Sequence, residues 1–408
     1  MLSVEEARER ILAHFQRLPA EDVPLPEALG RVLAEDAIAP DDLPPFANSA
    51  MDGYAIRAAD SAGASSSTPV SLRLIGAVPA GRIYDGTVGP GEAVRILTGA
   101  PVPAGTDAVL QQELTEVDGD VVRLLAEAPQ GLSVRLAGDD VRAGQRVAEA
   151  GDEIGPAEIA LLAAVGVHPV RATRRPRVAI FSTGDELARL GEQPRPGQIR
   201  ESNSAYLAAA VTRAGGEPLL LGIARDNTDE IRQRLQQAQG ADLILSSGGV
   251  SVGDFDLVKQ VLSEDGNIDF WRVRMRPGKP LAFGILGGTP LLGLPGNPVS
   301  AAVTFELFGR PAIRLMLGAR TVVRPTVEVV LAGNAIERAD RRHFVRARLD
   351  SRGGTLVATP TGDQGSHRIT SLSGATALLM IMEGEGTVRN GDVVSALLLN
   401  DALPWGNE

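Results

Sequence analysis

Apolar residues recur at Val4, Ala7, Ile11, Phe15 and Leu18 of SVEEARERILAHFQRL, the spacing of an amphipathic helix, and Ser3 with Glu6 forms a capping box at its start. The proline-rich text that follows, LPAEDVPLPEALG, gives this helix little to pack on. It is expected to pack on another segment or another subunit. From Phe46 to Val141 the rhythm shortens to valine-rich runs broken by glycine and proline, such as SLRLIGAVPAG, EAVRILTGAPVPAG and DVVRLLA. These predict a small β domain. Within it, ADSAGASSSTP reads as a flexible loop by composition. IGPAEIALLAAVGV predicts a short helix behind a proline, and HPVRATRRPR reads as a linker.

At Arg177 the pattern changes. Strand RVAIFS leads into TGDEL, helix NSAYLAAAVTRAG ends at a glycine pair, strand PLLLGIA leads to RDN, and helix TDEIRQRLQQAQ precedes strand ADLILS. Strands alternating with helices of this length predict a largely parallel sheet covered on both faces, closed by a final helix over 299–317. Loops at the carboxyl ends of such strands form the ligand crevice. TGDEL, RDN, SSGGVSVGDFD and LPGNP are therefore expected to converge. Five further alternating runs, TVEVVLA, HFVRARLD, TLVATP, ALLMIME and DVVSALLL, predict a C-terminal β-barrel or sandwich. The fold class expected is multidomain α/β plus β, with residues 46–145 as the small β domain, 177–320 as the α/β domain and 321–408 as the C-terminal β domain.

Composition narrows the chemistry. The 408 residues contain no cysteine and four histidines without ligand spacing, which excludes thiolate chemistry and disfavours a protein-made zinc site. A metal acting here would be held by oxygens, which favours a hard cation such as Mg²⁺. A net charge of −11 with 3% aromatics argues against a nucleic-acid partner. No apolar run approaches the roughly 18 residues of a membrane span, and MLSVEEARER lacks the order of a signal peptide. A cytoplasmic location without membrane contact is expected. Lysine occurs only at Lys259 and Lys279, all other basic residues being arginine.

Several loops could carry chemistry. In SSGGVSVGDFD, Gly248, Gly249 and Gly253 can present backbone amides to a phosphate, and Asp254 and Asp256 could hold a divalent cation bridging its oxygens. A plain turn with Asp254 as a helix cap explains the same letters. TGDEL and RDN add Asp185, Glu186 and Asp226, each readable alone as a cap or a surface charge. In an extended WRVRMRPGKP, Arg272, Arg274 and Arg276 share one face, either an oxyanion-binding stripe or the charged edge of a sheet. LPGNPVS is a second candidate anion-facing helix start or an ordinary turn, and the Asp52–Gly53 pair in FANSAMDGYA reads first as a hairpin turn. Walker, zincin and α/β-hydrolase motifs are absent.

Taken together, PPFANSAMDGYA, RILTGAPVPAGTDAV, FSTGDEL, SSGGVSVGDFD, RPGKPLAFG and GLPGNPVSA, in this order, resemble the bacterial MoeA family and the E domain of gephyrin, the molybdopterin molybdenumtransferases. The resemblance covers nearly the whole chain. It implies Mg²⁺-dependent reaction of adenylylated molybdopterin with molybdate, AMP leaving and molybdenum staying on the dithiolene. Carried over by motif, it implies catalytic roles for Asp52, Thr98, Asp140, Glu186, Asp226, Asp256 and Lys279, with Glu186, Asp226 and Asp256 at the metal. Substrate binding is assigned to Gly248, Gly249, Ser251, Arg272, Arg276, Arg346 and Ser366. Arg272 and Arg276 stand where the family often has lysine, which keeps the charge and changes its geometry. The resemblance further implies a homodimer with shared active sites, an elongated dimerisation domain built from 1–45 with 146–176, and transient contact with the molybdopterin adenylyltransferase. The alternative is a non-catalytic molybdopterin-binding or scaffold protein, which the acidic set at Asp52, Glu186, Asp226 and Asp256 disfavours. A general nucleotide hydrolase would lack its phosphate-loop lysine.

Overall fold

The computed structural model describes residues 1–249, 260–261, 263–264 and 267–400. Helix α1 (Val4–Leu12) starts on the Ser3–Glu6 capping box and stops short of the expected Leu18, because i→i+3 bonds from His14 and Phe15 tighten its end. Val4, Ala7, Ile11 and Phe15 are all buried in the core of the central layer, so the helix finds its packing partner within the chain.

Strand Ala20–Val23 pairs antiparallel with Val170–Thr173, and Ala37–Ile38 pairs with Arg146–Ala148. The linker expected over HPVRATRRPR is thus partly a strand. Its V-R-A-T stretch alternates buried and exposed until Thr173, a period-2 signal masked by the surrounding arginines and prolines. Helix Pro156–Ala164 contributes Leu162 to the same small core as Leu33, Ile154 and Val170.

The second layer is a six-stranded sheet built from β1 (Gly53–Ile56), β2 (Ser65–Val78), β3 (Glu92–Ile96), β4 (Ala108–Gln111), β5 (Thr115–Asp118) and β6 (Val121–Ala126), in the order β4-β1-β3-β2-β6-β5. The flexible loop expected over ADSAGASSSTP is folded instead. Ala58–Ser61 is a 3₁₀ turn, and Ser61 ties it down with one local and one long-range bond: its Oγ donates to the carbonyl of Ala58 at 2.7 Å and accepts from the Ala128 amide at 2.9 Å.

The central layer carries β7 (Arg177–Thr183), α2 (Asn203–Ala214), β8 (Glu217–Ala224), α3 (Thr228–Gln237), β9 (Leu243–Ser247), β10 (Asn267–Arg272), β11 (Pro280–Leu286) and β12 (Thr289–Leu294). The order is β8-β7-β9-β12-β11-β10, with β8, β7, β9 and β12 parallel and β11 antiparallel to both of its neighbours. Every residue of Val178–Thr183 and Leu243–Ser247 is buried, as a strand covered on both faces requires. The closing helix runs as α4 (Pro298–Thr304), a π turn over Phe305–Gly309 and α5 (Arg310–Met316).

Beyond it, β13 (Thr326–Leu331), β14 (Arg342–Arg352), β15 (Thr355–Pro360), β16 (Ala377–Ile381) and β17 (Val393–Leu398) close into a barrel through the circuit β13-β15-β14-β16-β17-β13. Val345, Ala347 and Leu349 of β14 fill its interior while Phe344 packs into the central core. The expected multidomain α/β plus β class, with a C-terminal barrel, is what the chain adopts. Among the described residues, no helix is long and apolar enough to cross a membrane.

Candidate functional site

Because β7, β8, β9 and β12 run parallel, their carboxyl ends lie along one rim, and a crevice of about 660 Å³ opens there. Its walls include Thr183, Gly184 and Glu186 after β7, Asp226 after β8, Ser247, Gly248 and Gly249 after β9, and Pro295 to Pro298 after β12. The described residues of the four loops expected to converge do so, SSGGVSVGDFD being represented by its start up to Gly249.

Each loop is held by specific bonds. A Cβ at Gly184 would lie 2.3 Å from a Glu186 carboxylate oxygen, so the bare backbone lets Glu186 fold back over it. The amide of Asp226 donates to the Asp185 carboxylate at 3.3 Å, tying RDN to TGDEL. Glu201, also in the wall, accepts from Ser182 Oγ at 2.9 Å and from the Ser204 amide at 2.8 Å. Asn203 Nδ2 donates both to Ser247 Oγ at 2.7 Å and to the Gly296 carbonyl at 2.8 Å. Thr183 Oγ1 is buried in this wall without a partner among the described residues, a polar atom suited to a polar ligand.

Gly248 and Gly249 have φ of 92° and 65°, a left-handed conformation that disfavours side chains. At Gly248 a Cβ would also lie 2.8 Å from the Thr183 carbonyl. The glycines of this loop therefore follow from geometry, and the backbone they expose faces the crevice. Ser251, Gly253, Asp254, Asp256 and Lys259 lie outside the described residues. Of the expected metal ligands, Glu186 and Asp226 share the crevice. Among the described residues no cluster of three or more metal-ligating side chains occurs. Two carboxylates fit a hard cation that keeps waters and substrate oxygens as its other ligands.

The loop between β15 and β16 of the barrel adds one residue, His367, to the crevice wall. Arg346 on β14 is fully buried and donates through Nε and Nη2 to Ser371 Oγ at 3.1 and 3.0 Å, and through Nη2 to the Gly365 carbonyl at 3.2 Å, leaving Nη1 unpartnered. Desolvation lowers its pKa to about 10, with nearby Arg276 adding to the effect. The loop it holds reaches the crevice: the Ser366 carbonyl accepts from the Val299 amide at 3.1 Å, and His367 lines the wall. Arg276 and His343 instead line a second cavity of about 710 Å³ at the barrel mouth. Desolvation first, then the positive charges of Arg276 and Arg346, lower the pKa of His343 to about 4.

The arginine stripe is corrected. Arg272, Arg274 and Arg276 are exposed and alternate with buried Val273 and Met275, but they do not lie on one strand. Arg272 ends β10, the Met275 amide turns back to the Val273 carbonyl at 2.8 Å, and Met275–Arg276 pairs with β14 of the barrel. Only Arg276 of the three lines a cavity described here. Lys279 is half-buried next to Pro280 of the crevice wall, and no side chain among the described residues pairs with its ammonium.

Asp52 and Thr98 meet on the small β sheet, where the Thr98 amide and hydroxyl both donate to one Asp52 oxygen at 2.7 Å and hold its pKa below the usual carboxylate value. Asp140 is exposed, its amide bonded to the Leu43 carbonyl at 3.0 Å. None of the three lines the crevice within one chain. Sequence reasoning missed Glu201, Asn203 and His367. A polar triplet before an apolar helix, ESN, was the available signal for the first two; His367 arrives from a distant loop and had none.

Residues 2–166 match the MoeA N-terminal region (domain I and II), 179–315 the "Probable molybdopterin binding domain", and 328–399 the MoeA C-terminal region (domain IV). The chain is 41% identical over 391 residues to molybdopterin molybdenumtransferase 2 of Mycobacterium tuberculosis, covering 94% of this chain and 96% of that one. It is 35% identical to the molybdopterin molybdenumtransferase of Haemophilus influenzae, covering 99% and 100%. Two crystal structures of the molybdopterin biosynthesis MoeA protein of Pyrococcus horikoshii superpose with TM-scores of 0.86 and 0.82 at 33% and 32% identity, each covering 98% of this chain and 100% of the other. With its three regions in order and relatives alike over nearly its full length, the chain belongs to the MoeA family of molybdopterin molybdenumtransferases.

Proposed function

We propose that the crevice receives adenylylated molybdopterin and that this enzyme transfers molybdenum from molybdate to the pterin dithiolene as AMP departs. The observation that carries the reading is the convergence of four loops, two carboxylates and a glycine-opened backbone on one rim. The Gly248 amide is taken by the Leu294 carbonyl, so the Gly249 amide and those of the LPGNP turn would cradle the diphosphate, as unpaired N–H groups favour anions. Glu186 and Asp226, with Asp256, would hold Mg²⁺, which when bound neutralises charge on phosphate oxygens. Lys279, beside the crevice wall, would supply a cationic group for the anionic substrates, Arg276 would do so only for a group reaching the barrel-mouth cavity, and Arg346, expected to bind substrate, is fully buried and instead fixes the loop bearing Ser366 and His367. The absence of cysteine suits a substrate that brings its own sulfurs.

Asp52, Thr98 and Asp140 complete the site when a second copy presents its small β layer, so the functional unit is a homodimer in the cytoplasm. The test mixes purified protein, adenylylated molybdopterin, molybdate and Mg²⁺ and follows AMP. Release is expected to require molybdate and to stop on chelation. Asp226→Asn is expected to lower it at least about tenfold with the fold intact. Full AMP release in chelator would remove the metal, and release without molybdate dependence would remove the transfer.

A further inference from the structure

We infer that Asn203 is a positioning residue that clamps the two phosphate-facing loops of the crevice into one surface. Its amide nitrogen has two hydrogens, and the two acceptors it meets lie on different segments, Ser247 at the end of β9 and Gly296 in the turn after β12. The same two segments also meet through the Gly248 amide, which donates to the Leu294 carbonyl at 3.0 Å. A Cβ at Gly296 would stand 3.7 Å from the Gly248 Cα, so the backbones lie close together. Asn203 is the first residue of α2, and the preceding Ser202 makes no side-chain cap bond. Glu201 holds the helix start from the other side by accepting from Ser182 and Ser204. The amide therefore reaches across the rim from a braced helix start. No other side chain among the described residues bonds to both loops.

This deepens the proposed nucleotide role of the crevice and rests on it. Asn203→Asp separates the clamp from helix capping. A carboxylate at the first turn of a helix is favoured by the dipole, so a merely structural role would survive the exchange. The donor is lost, however, and the Gly296 carbonyl then faces a negative oxygen. The expected result is faster hydrogen exchange in segments 246–249 and 293–298 alone, a melting temperature within about 4 °C of wild type, and AMP affinity and KM for the adenylylated substrate each worse by about tenfold, the scale of a neutral hydrogen bond's net contribution. Asn203→Ala provides the same readouts if the aspartate chain fails to fold. Unchanged exchange in both segments, or loosened loops with unchanged AMP affinity, would overturn the clamp. A wild-type chain that binds no AMP would instead sink the nucleotide reading of the crevice, while the exchange data still decide whether Asn203 joins the loops.

Discussion

His343 shows what a single buried group does at the barrel mouth. Its Nε2 is buried without a partner, and its pKa falls from 6.5 to about 4. In the unfolded chain the ring takes up a proton below about 6.5, whereas the folded ring does so only near 4. Acidification through that window therefore favours unfolding, by at most about 3 kcal/mol before solvent screening reduces it. His343→Gln is expected to flatten the loss of stability between pH 7 and pH 4.5 in urea titrations. A parallel wild-type and variant pH dependence would assign the acid sensitivity elsewhere. At Asp52 the downward shift comes first from the Thr98 hydroxyl bond and next from the Thr98 amide. Thr98→Val keeps the backbone donor, so the Asp52 pKa is expected to rise part of the way back, read by carboxyl NMR titration. Single residues were legible in the sequence where a motif carried them, as with Glu186 and Asp226. Arg346 as a buried loop holder and His367 as a wall residue were not, because both depend on contacts between segments far apart in the chain.

Among elements, the turn after β9 is the most constrained. Gly248→Ala is expected to cost about 1–3 kcal/mol for the positive φ, with a further clash against the Thr183 carbonyl. AMP binding should fall with it, while the same change at Gly191, where φ is 88° and a Cβ meets nothing within 4 Å, should strain the backbone and leave binding unaffected. Equal binding losses at both sites would mean that strain alone, without crowding at the rim, explains the effect. The rim was readable from sequence because alternating strands and helices fix which strand ends share an edge. Three local readings failed for physical reasons. The arginines and prolines around V-R-A-T hid a short strand, serine-to-backbone bonds ordered ADSAGASSSTP, and one backbone turn at Val273–Met275 split a stripe that perfect alternation would have kept whole.

For the whole molecule, the proposed shared site makes a complementation prediction. Asp52→Asn and Asp226→Asn chains should each be inactive alone. After random mixing, half the dimers would pair the two variants and have one intact site of two, giving about a quarter of wild-type AMP release. No recovery in verified mixed dimers would confine the site to one chain. The order and class of the layers were legible, since five alternating runs foretold the barrel. The seam between layers was hidden, because Met275–Arg276 looks in sequence like a continuation of β10 yet pairs with β14.

That seam governs how the protein can be taken apart. A chimera cut after the closing helix would carry off the barrel but leave behind the short stretch stitched to its longest strand, exposing backbone on both fragments. Exchanging barrels between relatives therefore calls for transplanting residues 273–279 along with everything beyond 321, so that the graft brings its own stitch.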